Sequence, residues 1–550
     1  MKSSRNICLA EASMFKRIVE IVAISSASFI PLYLLWLILS GSHMQFGDYF
    51  DMLGHMFSTE GVFKPAGLFI HANEHLVLIP KLIFLFNVYF FDGSNITLGI
   101  IVWLISTITA ILAWWQLQFI VRSSVANRIL MAWLLASLLF PLSAAHNYLH
   151  AMSGTAWLLA NLFSVCAVIL SINKLYISAA IFGAFATFSY GTGLAVWPAL
   201  LFVLVLDRQL TWKSAGVMVI GLVSIILERV TSHSVSGYHP PLEIDPLAIL
   251  RSTQIAGGSI LTNSTDLALI IGGIFLVLVA IFLLRLLSTK NNGATEKIIA
   301  GIVIYALTAL FLFAIARSGF GDGVFLSSRY MGVVALFVFS VCLLSYFIIK
   351  NPVLWQGAAS LMIILSLSAA VPVVTAVQNN VKEHQTLGVI AAQLGVAQGL
   401  MFGYGSRTGT VLRALDHYPF NATGDRVFCG LLGEKVEAPL PAGDHGIHGW
   451  FDSLKPLDKI SGYEVNGWAH ATRKFDCILI VDSANVVVGA AERGWPREDA
   501  RRAIQGRDKN IGWKGYAVAS SGGDLRALVR LQGQTGFFEL SKSNSDRVTK

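Results

Sequence analysis

The chain has 550 residues, 55% of them hydrophobic and only 13% charged, with a mean hydropathy of +0.65; soluble domains carry roughly 25% charged residues. A wholly water-soluble protein is excluded. The formal charge of +8 does not by itself imply nucleic acid, because cytoplasmic loops of membrane proteins carry a basic excess that sets their orientation; no nucleic-acid partner is expected.

The charge is unevenly placed. Of the 72 Asp, Glu, Lys and Arg residues, 39 lie between Asn379 and Lys550, leaving 33 for the first 378 positions. The composition divides the chain into a polytopic membrane domain, residues 1–378, and a water-soluble domain, residues 379–550. Apolar runs of about twenty residues mark helices able to cross a bilayer, since lipid offers the backbone no hydrogen bonds beyond those made within the segment. Such runs lie near 18–40, 97–120, 129–144, 154–171, 175–190, 193–207, 213–230, 266–285, 297–316, 330–349 and 353–377, which predicts about eleven transmembrane helices. The first run is long and lacks a small-residue cleavage site, so a retained anchor is expected rather than a cleaved signal.

Leu76 to Phe91 is also apolar, but Pro80, Lys81 and Asn87 interrupt it. If this segment stays on the outer face, the first 378 residues place 13 Lys and Arg inside and 6 outside; if it crosses, the count becomes 8 inside and 11 outside. The positive-inside rule selects the first arrangement. The segment is then an interfacial helix within an outer loop spanning 41–96, the N-terminus is cytoplasmic, and the C-terminal domain is extracytoplasmic.

In this topology ten acidic residues of the membrane part face outward and four inward, so any chemistry is expected outside. The first outer loop carries Asp48 and Asp51, three apart and so on one face of a short helix, where desolvation near the bilayer would favour a general base. Glu74 follows between His71 and His75. The order is not the His-Glu-x-x-His of zinc proteases, and no protein-bound zinc is expected. A divalent cation, Mg or Mn, shared between acidic side chains and a substrate phosphate is the cofactor these residues would accommodate. His146, Asn147 and Tyr148, between two spans, read either as sugar contacts or as interfacial anchors. Ser189 to Gly193 reads as a tight turn. Arg317 and Arg329 stand at the outer ends of neighbouring spans around a glycine-rich turn, with Tyr330 beside them, an arrangement suited to a lipid phosphate or pyrophosphate; snorkelling to headgroups is the competing reading. Arg251, in the outer loop from Thr231 to Thr265, is a weaker candidate for the same job.

An acidic motif early in the first outer loop, an interfacial helix after it, many spans and arginines in late outer loops together resemble the GT-C class of membrane glycosyltransferases. Asn73-Glu74-His75 before Pro80-Lys81-Leu82, Gly191-Thr192-Gly193-Leu194 before Trp197-Pro198, and Arg317 to Tyr330 look like segments of uncharacterised bacterial membrane proteins grouped near that class. The resemblance covers most of residues 18–377. It implies transfer of a sugar from a polyprenyl-phosphate donor to a glycan or lipid-linked acceptor at the periplasmic face of the bacterial inner membrane. Asp48 would be the base, with Asp51 its rival and Glu74 a further candidate. Arg317 and Arg329 would stabilise the leaving phosphate, with Tyr330 and Arg251 near it, and Asn73 and His75 would contact substrate. Asp48 and Asp51 depart from the adjacent or once-spaced acidic pairs common in that class. A polysaccharide polymerase or ligase shares this chemistry. A lipid-linked-sugar transporter would carry its polar residues near mid-membrane, and a non-catalytic scaffold would tolerate loss of all four of Asp48, Asp51, Arg317 and Arg329.

Beyond Val377 a mixed stretch through Leu400 could be helical. Short runs at 463–468, 477–481, 486–490, 515–518 and 525–531 mix β-branched, aromatic and polar residues between turn signals and read as strands, and Pro496 opens a short helix over Arg497 to Ile504. A β-sandwich is expected, with Trp450, Trp468, Trp495 and Trp513 either stacking on sugars or packing in its core. Cys429 and Cys477 are the pair able to bridge in an oxidising compartment.

Overall fold

The computed structural model describes residues 17–45, 47–71, 75–209, 211–230, 245–289, 292–396, 405–421, 428–443, 446–457, 462–504, 508–519 and 525–542. It separates into two compact units. One comprises residues 1–41, 68–87 and 95–381, the other 42–67, 88–94 and 382–550. Much of the first outer loop therefore folds with the C-terminal domain, whereas the composition assigned it to the membrane part.

The first unit is helical. Its longer helices, with the shared ones included in chain order, are α1 (Arg17–Leu39), α2 (Asp48–Met56, in the second unit), α3 (Leu78–Phe91), α4 (Asn95–Gln116), α5 (Val125–Leu139), α6 (Ala151–Ile172), α7 (Tyr176–Thr187), α8 (Val196–Leu206), α9 (Trp212–Val230), α10 (Pro246–Gly258), α11 (Thr265–Ser288), α12 (Ala294–Arg317), α13 (Met331–Ile348) and α14 (Pro352–Leu394). Among the described residues, eight helices are long and apolar enough to cross a membrane: α1, α4, α5 with its continuation to Leu149, α6, α11, α12, α13 with the turn from Ser328, and α14. The other three of the eleven expected segments are helical as well, but α7 and α8 have 12 and 11 residues, and α9 carries Lys213, Glu228 and Arg229.

Burial explains which face each helix turns inward. On α11 the buried residues are Ala268, Gly272, Phe275, Val279, Phe282 and Leu286, a stripe of period three to four. The opposite face exposes Ile270, Ile274, Val277, Ile281 and Leu284. A continuous apolar outer face of this kind is at home in lipid. Along α13, every residue from Met331 to Ser345 is buried, so this helix is the centre of the bundle. Small residues permit the close approaches: a Cβ on Gly272 would lie 1.8 Å from the Gln254 carbonyl oxygen of α10.

Helix α3 has 14 residues, a length of about 21 Å against the roughly 30 Å of a hydrocarbon core. Its buried stripe contains Lys81, Phe84, Asn87 and Val88, while Leu82, Phe86, Tyr89 and Phe90 are exposed. The Lys81 ammonium donates to the Ile70 carbonyl. The loop expected from Thr231 to Thr265 contains helix α10. Asp245 caps it by accepting from the Leu247 amide at 2.9 Å, and Pro246 occupies its first turn.

Helix α14 has 43 residues, and within the second unit Glu383 pairs with Lys514 at 2.5 Å.

The second unit holds one sheet of nine strands: β1 (Leu440–Pro441), β2 (His448–Pro456), β3 (Gly462–His470), β4 (Phe475–Val481), β5 (Val487–Trp495), β6 (Gly512–Val518), β7 (Arg526–Leu531), β8 (Phe537–Glu539) and β9 (Ser541–Lys542), in the order β1-β8-β7-β4-β5-β6-β3-β2-β9. Only Leu540 separates β8 from β9, yet β8 pairs with β7 and β9 with β2 at the far end of the order. One short segment thus joins both edges and closes the sheet on itself, where a sandwich of two sheets was expected. Closure removes exposed edges. The interior is one apolar cluster including Phe451, Val465, Ile478, Ile480, Val529 and Phe538.

Trp513 and Trp468 are buried, Trp495 is half-buried beneath Lys514, and Trp450 is 42% exposed. The short helix expected after Pro496 is present at Glu498–Ala503. Cys429 and Cys477 form a disulfide across 48 positions. A loop of that length removes chain entropy worth about 4 kcal/mol from the unfolded state. Reduction, or the double variant Cys429→Ser with Cys477→Ser, should therefore accelerate tryptic cleavage of the detergent-solubilised chain at sites beyond residue 381 and leave cleavage of the helical unit unchanged.

Candidate functional site

Short connections send successive helices in alternating directions, so the ends of α9 and α12 and the starts of α6, α8 and α13 fall on one side. The opposite side carries ion pairs. Arg128 meets Glu20 at 2.5 Å, Arg285 meets Glu296 at 3.2 Å, and Lys297 meets Asp207.

On the first side, a cavity of about 360 Å³ opens within the helical unit, lined among others by His75, Trp157, Tyr190, Arg229, Arg317 and Tyr330. Its wall is a chain of aromatic contacts. The ring centroids of His75 and Tyr190 are 4.8 Å apart, those of Tyr190 and Trp157 4.2 Å, those of Trp157 and Tyr330 5.2 Å, and those of Tyr330 and Phe313 4.2 Å. Arg317, the last residue of α12, places its guanidinium 5.3 Å over the Phe320 ring. Arg229 lies at the end of α9.

Behind His75 stands Glu228, which is 2% exposed. Its Oε1 lies 3.8 Å from His75 Nδ1 and its Oε2 3.5 Å from Arg229 Nε. The backbone carbonyl of Glu228 accepts from His71 Nε2 at 3.0 Å, which fixes that tautomer of His71. Glycine is required at 191 by contact rather than by conformation: a Cβ there would lie 2.3 Å from His75 Cε1. The Gly191-Thr192-Gly193 turn is therefore the seat of the imidazole.

Of the residues singled out in the sequence, His75, Arg317 and Tyr330 line this cavity. Asn73 and Glu74 lie outside the described residues. Arg329 occupies the same short turn as Tyr330, and Ser328 in that turn accepts the His146 amide at 3.2 Å. Arg251 is engaged by Asp322, with Nη2 2.8 Å and Nε 3.2 Å from one carboxylate oxygen, tying α10 to the turn after α12. Asn147 is buried and its Oδ1 accepts from the Ser153 hydroxyl at 3.2 Å. Tyr148 is fully buried, with its hydroxyl 2.8 Å from Ser106 Oγ. These contacts make Asn147 and Tyr148 parts of the bundle interior. Glu228, Arg229 and Trp157 were not singled out. The first two read as loop charges ending a span, and Trp157 as one apolar residue among many.

Asp48 and Asp51 belong to the second unit. Both sit in the first turn of α2, where carboxylates are stabilised by the helix dipole. The loop carrying them is anchored within that unit: Gln45 Nε2 donates to the Gly93 carbonyl at 3.1 Å, His43 Nδ1 is 2.8 Å from Ser94 Oγ, and the His43 ring packs on Tyr418. His417 is buried beside Gly93. Among the described residues, no three His, Cys, Asp or Glu side chains gather into a group that could hold a metal ion, so no step is assigned to a divalent cation. No protein-family model matches the chain, and no curated protein matches it.

Burial lowers the His417 pKa, opposed by the nearby Asp92 and Asp416 carboxylates; burial likewise lowers that of His470. A base whose folded pKa is lowered binds its proton more readily when unfolded, so the second unit loses stability as pH falls below the ordinary histidine value of about 6.5. His417→Asn should flatten this acid dependence in denaturation profiles of the full chain. An unchanged slope would contradict the assignment.

Proposed function

We propose that this protein is a membrane glycosyltransferase that moves a sugar from a polyprenyl-phosphate donor to a glycan or lipid-linked acceptor at the periplasmic face of the bacterial inner membrane. The observation that carries the reading is the cavity. Aromatic walls suit a sugar ring or the first prenyl units, and Arg229 and Arg317 supply the planar donors that phosphate oxygens prefer. About 360 Å³ falls within the range of small-ligand pockets and leaves the polyprenyl chain to the surrounding lipid.

The base that takes the proton of the acceptor hydroxyl is the one the likeness to the GT-C class implies, Asp48, with Asp51 and Glu74 as its rivals. The acceptor oxygen attacks the anomeric carbon, and the lipid phosphate leaves against Arg229 and Arg317, at the ends of α9 and α12. Two observations support the periplasmic assignment. The Cys429–Cys477 disulfide suits an oxidising compartment, and the cytoplasmic excess of Lys and Arg, 13 against 6, follows the positive-inside rule.

Mass spectrometry of surface glycans and polyprenyl-linked sugars tests this in a deletion strain and in strains restored with the intact gene or with Asp48→Asn. Deletion should remove a defined sugar while its lipid-linked donor accumulates, and Asp48→Asn should do the same at an unchanged membrane level of protein. Unchanged pools in the deletion strain would contradict the function. Full activity of Asp48→Asn alone would transfer the role of base to Asp51 or Glu74.

A further inference from the structure

The side of the helical unit that carries the ion pairs holds a second cavity, of about 690 Å³. Three connections converge on it: that between α4 and α5, that between α11 and α12, and that between α13 and α14. Phe119, Thr295, Glu296, Tyr346, Lys350 and Trp355 are among its lining residues. Its apolar part is a run of rings. The centroids of Phe119 and Tyr346 are 6.3 Å apart and those of Tyr346 and Trp355 5.1 Å. Trp355 is buried, and its Nε1 donates to the Cys342 carbonyl at 3.1 Å. The polar part is one-sided. Among the described residues, Glu296 is the only carboxylate in the lining, and both of its oxygens are engaged, Oε1 by Arg285 Nη2 at 3.2 Å and Oε2 by the Gly293 amide at 3.0 Å. The adjoining Lys290 and Asn291, outside the described residues, add no carboxylate. By contrast, the Lys350 ammonium and the hydroxyls of Thr295 and Tyr346 make no hydrogen bond or ion pair among the described residues. Such a lining suits a ligand with acceptor oxygens and negative charge at one end and hydrocarbon at the other.

We propose that this cavity binds an anionic phospholipid, with the phosphate at Lys350, Thr295 and Tyr346 and the first acyl carbons along Phe119 and Trp355. The occupant follows from where the cavity opens. Helices α11, α12, α13 and α14 are each long and apolar enough to cross a membrane, and the cavity lies at their ends, the level at which headgroups meet water and at which Trp, Tyr and Lys anchor. A fissure at that level is bathed in lipid and needs no delivery from solution. Basic pockets between spans on the cytoplasmic side are known holders of lipid phosphates, and this is the side that the distribution of Lys and Arg assigns to the cytoplasm. One phosphate there reaches Thr295 at the start of α12 and Lys350 just before α14, so the lipid braces two helix connections. The inference is independent of the transferase reading and of the cavity at the opposite ends of the helices.

Native mass spectrometry of the purified full-length chain measures this, with dioleoylphosphatidylglycerol or dioleoylphosphatidylcholine titrated into nonionic detergent. The first lipid carries a net negative charge, which choline cancels in the second. The wild type should retain phosphatidylglycerol with a preference of about tenfold or more over phosphatidylcholine, the scale of a single charge-assisted hydrogen bond. Lys350 is exposed, so Lys350→Gln should fold normally, remove that preference and leave the weaker retention of phosphatidylcholine unchanged. Lys213→Gln takes an equal charge from the start of α9, on the same side but outside the cavity, and should keep the preference intact. Equal retention of the two lipids by the wild type, or a preference that survives Lys350→Gln, overturns the proposal. So does a preference lowered as much by Lys213→Gln, which would reduce it to general attraction between anionic lipid and a basic surface. Glycerol phosphate, which has the phosphate but no acyl chains, should not displace the lipid at millimolar concentration. Displacement would overturn the lipid assignment in favour of a soluble phosphate.

Discussion

A backbone inside hydrocarbon must satisfy its own hydrogen bonds, and this constraint governs where the first unit can hold a ligand. Helices answer it along their length, so irregular backbone is confined to helix ends and to places lined by protein. The ends of α9 and α12, the Gly191 turn and the short turns before α13 are such places, and they surround the cavity. Side chains from widely separated parts of the sequence meet there because their helices end there. The apolar outer faces of helices such as α11 turn the polar groups of the bundle inward or to its two ends.

The aromatic chain from His75 to Phe313 turns those ends into a shaped site. Each ring is held by its neighbour and by a helix start or finish, and the imidazole is seated on a glycine that no larger residue could replace without displacing it. Charge enters at the rim through Arg229 and Arg317 and is moderated by a buried carboxylate. In the proposed reaction this division lets apolar surface receive the prenyl and sugar parts while paired charges receive the phosphate.

Much of this architecture was readable. Twenty-residue apolar runs announce helices because lipid permits little else, and strands of the second unit show as short runs rich in β-branched and apolar residues, such as Cys477 to Val481 and Leu525 to Leu531. The helix carrying Asp48 and Asp51 was legible from their spacing. Other features were hidden for physical reasons. Strand β2, His448–Pro456, contains no β-branched residue and takes its conformation from pairing with β3. Closure of the sheet depends on two strands of three and two residues that no periodicity marks. Helix α10 did announce itself through Asp245-Pro246, a cap signal obscured by the polar stretch before it. His75, Arg317 and Tyr330 stood out as polar or aromatic residues in outer loops, whereas Glu228 gains meaning only from its distance to His75, which is a tertiary fact.

The central claim is that the cavity at the ends of α9 and α12 receives a polyprenyl phosphate. A photoreactive polyprenyl phosphate, cross-linked to the full-length chain in membranes and mapped by peptide mass spectrometry, measures this most directly. The account predicts label concentrated in residues 187–196 and 312–330, lost in the presence of excess undecaprenyl phosphate and retained with excess undecaprenol. Label spread along lipid-facing stretches such as 265–288, indifferent to the competing phosphate, would contradict it.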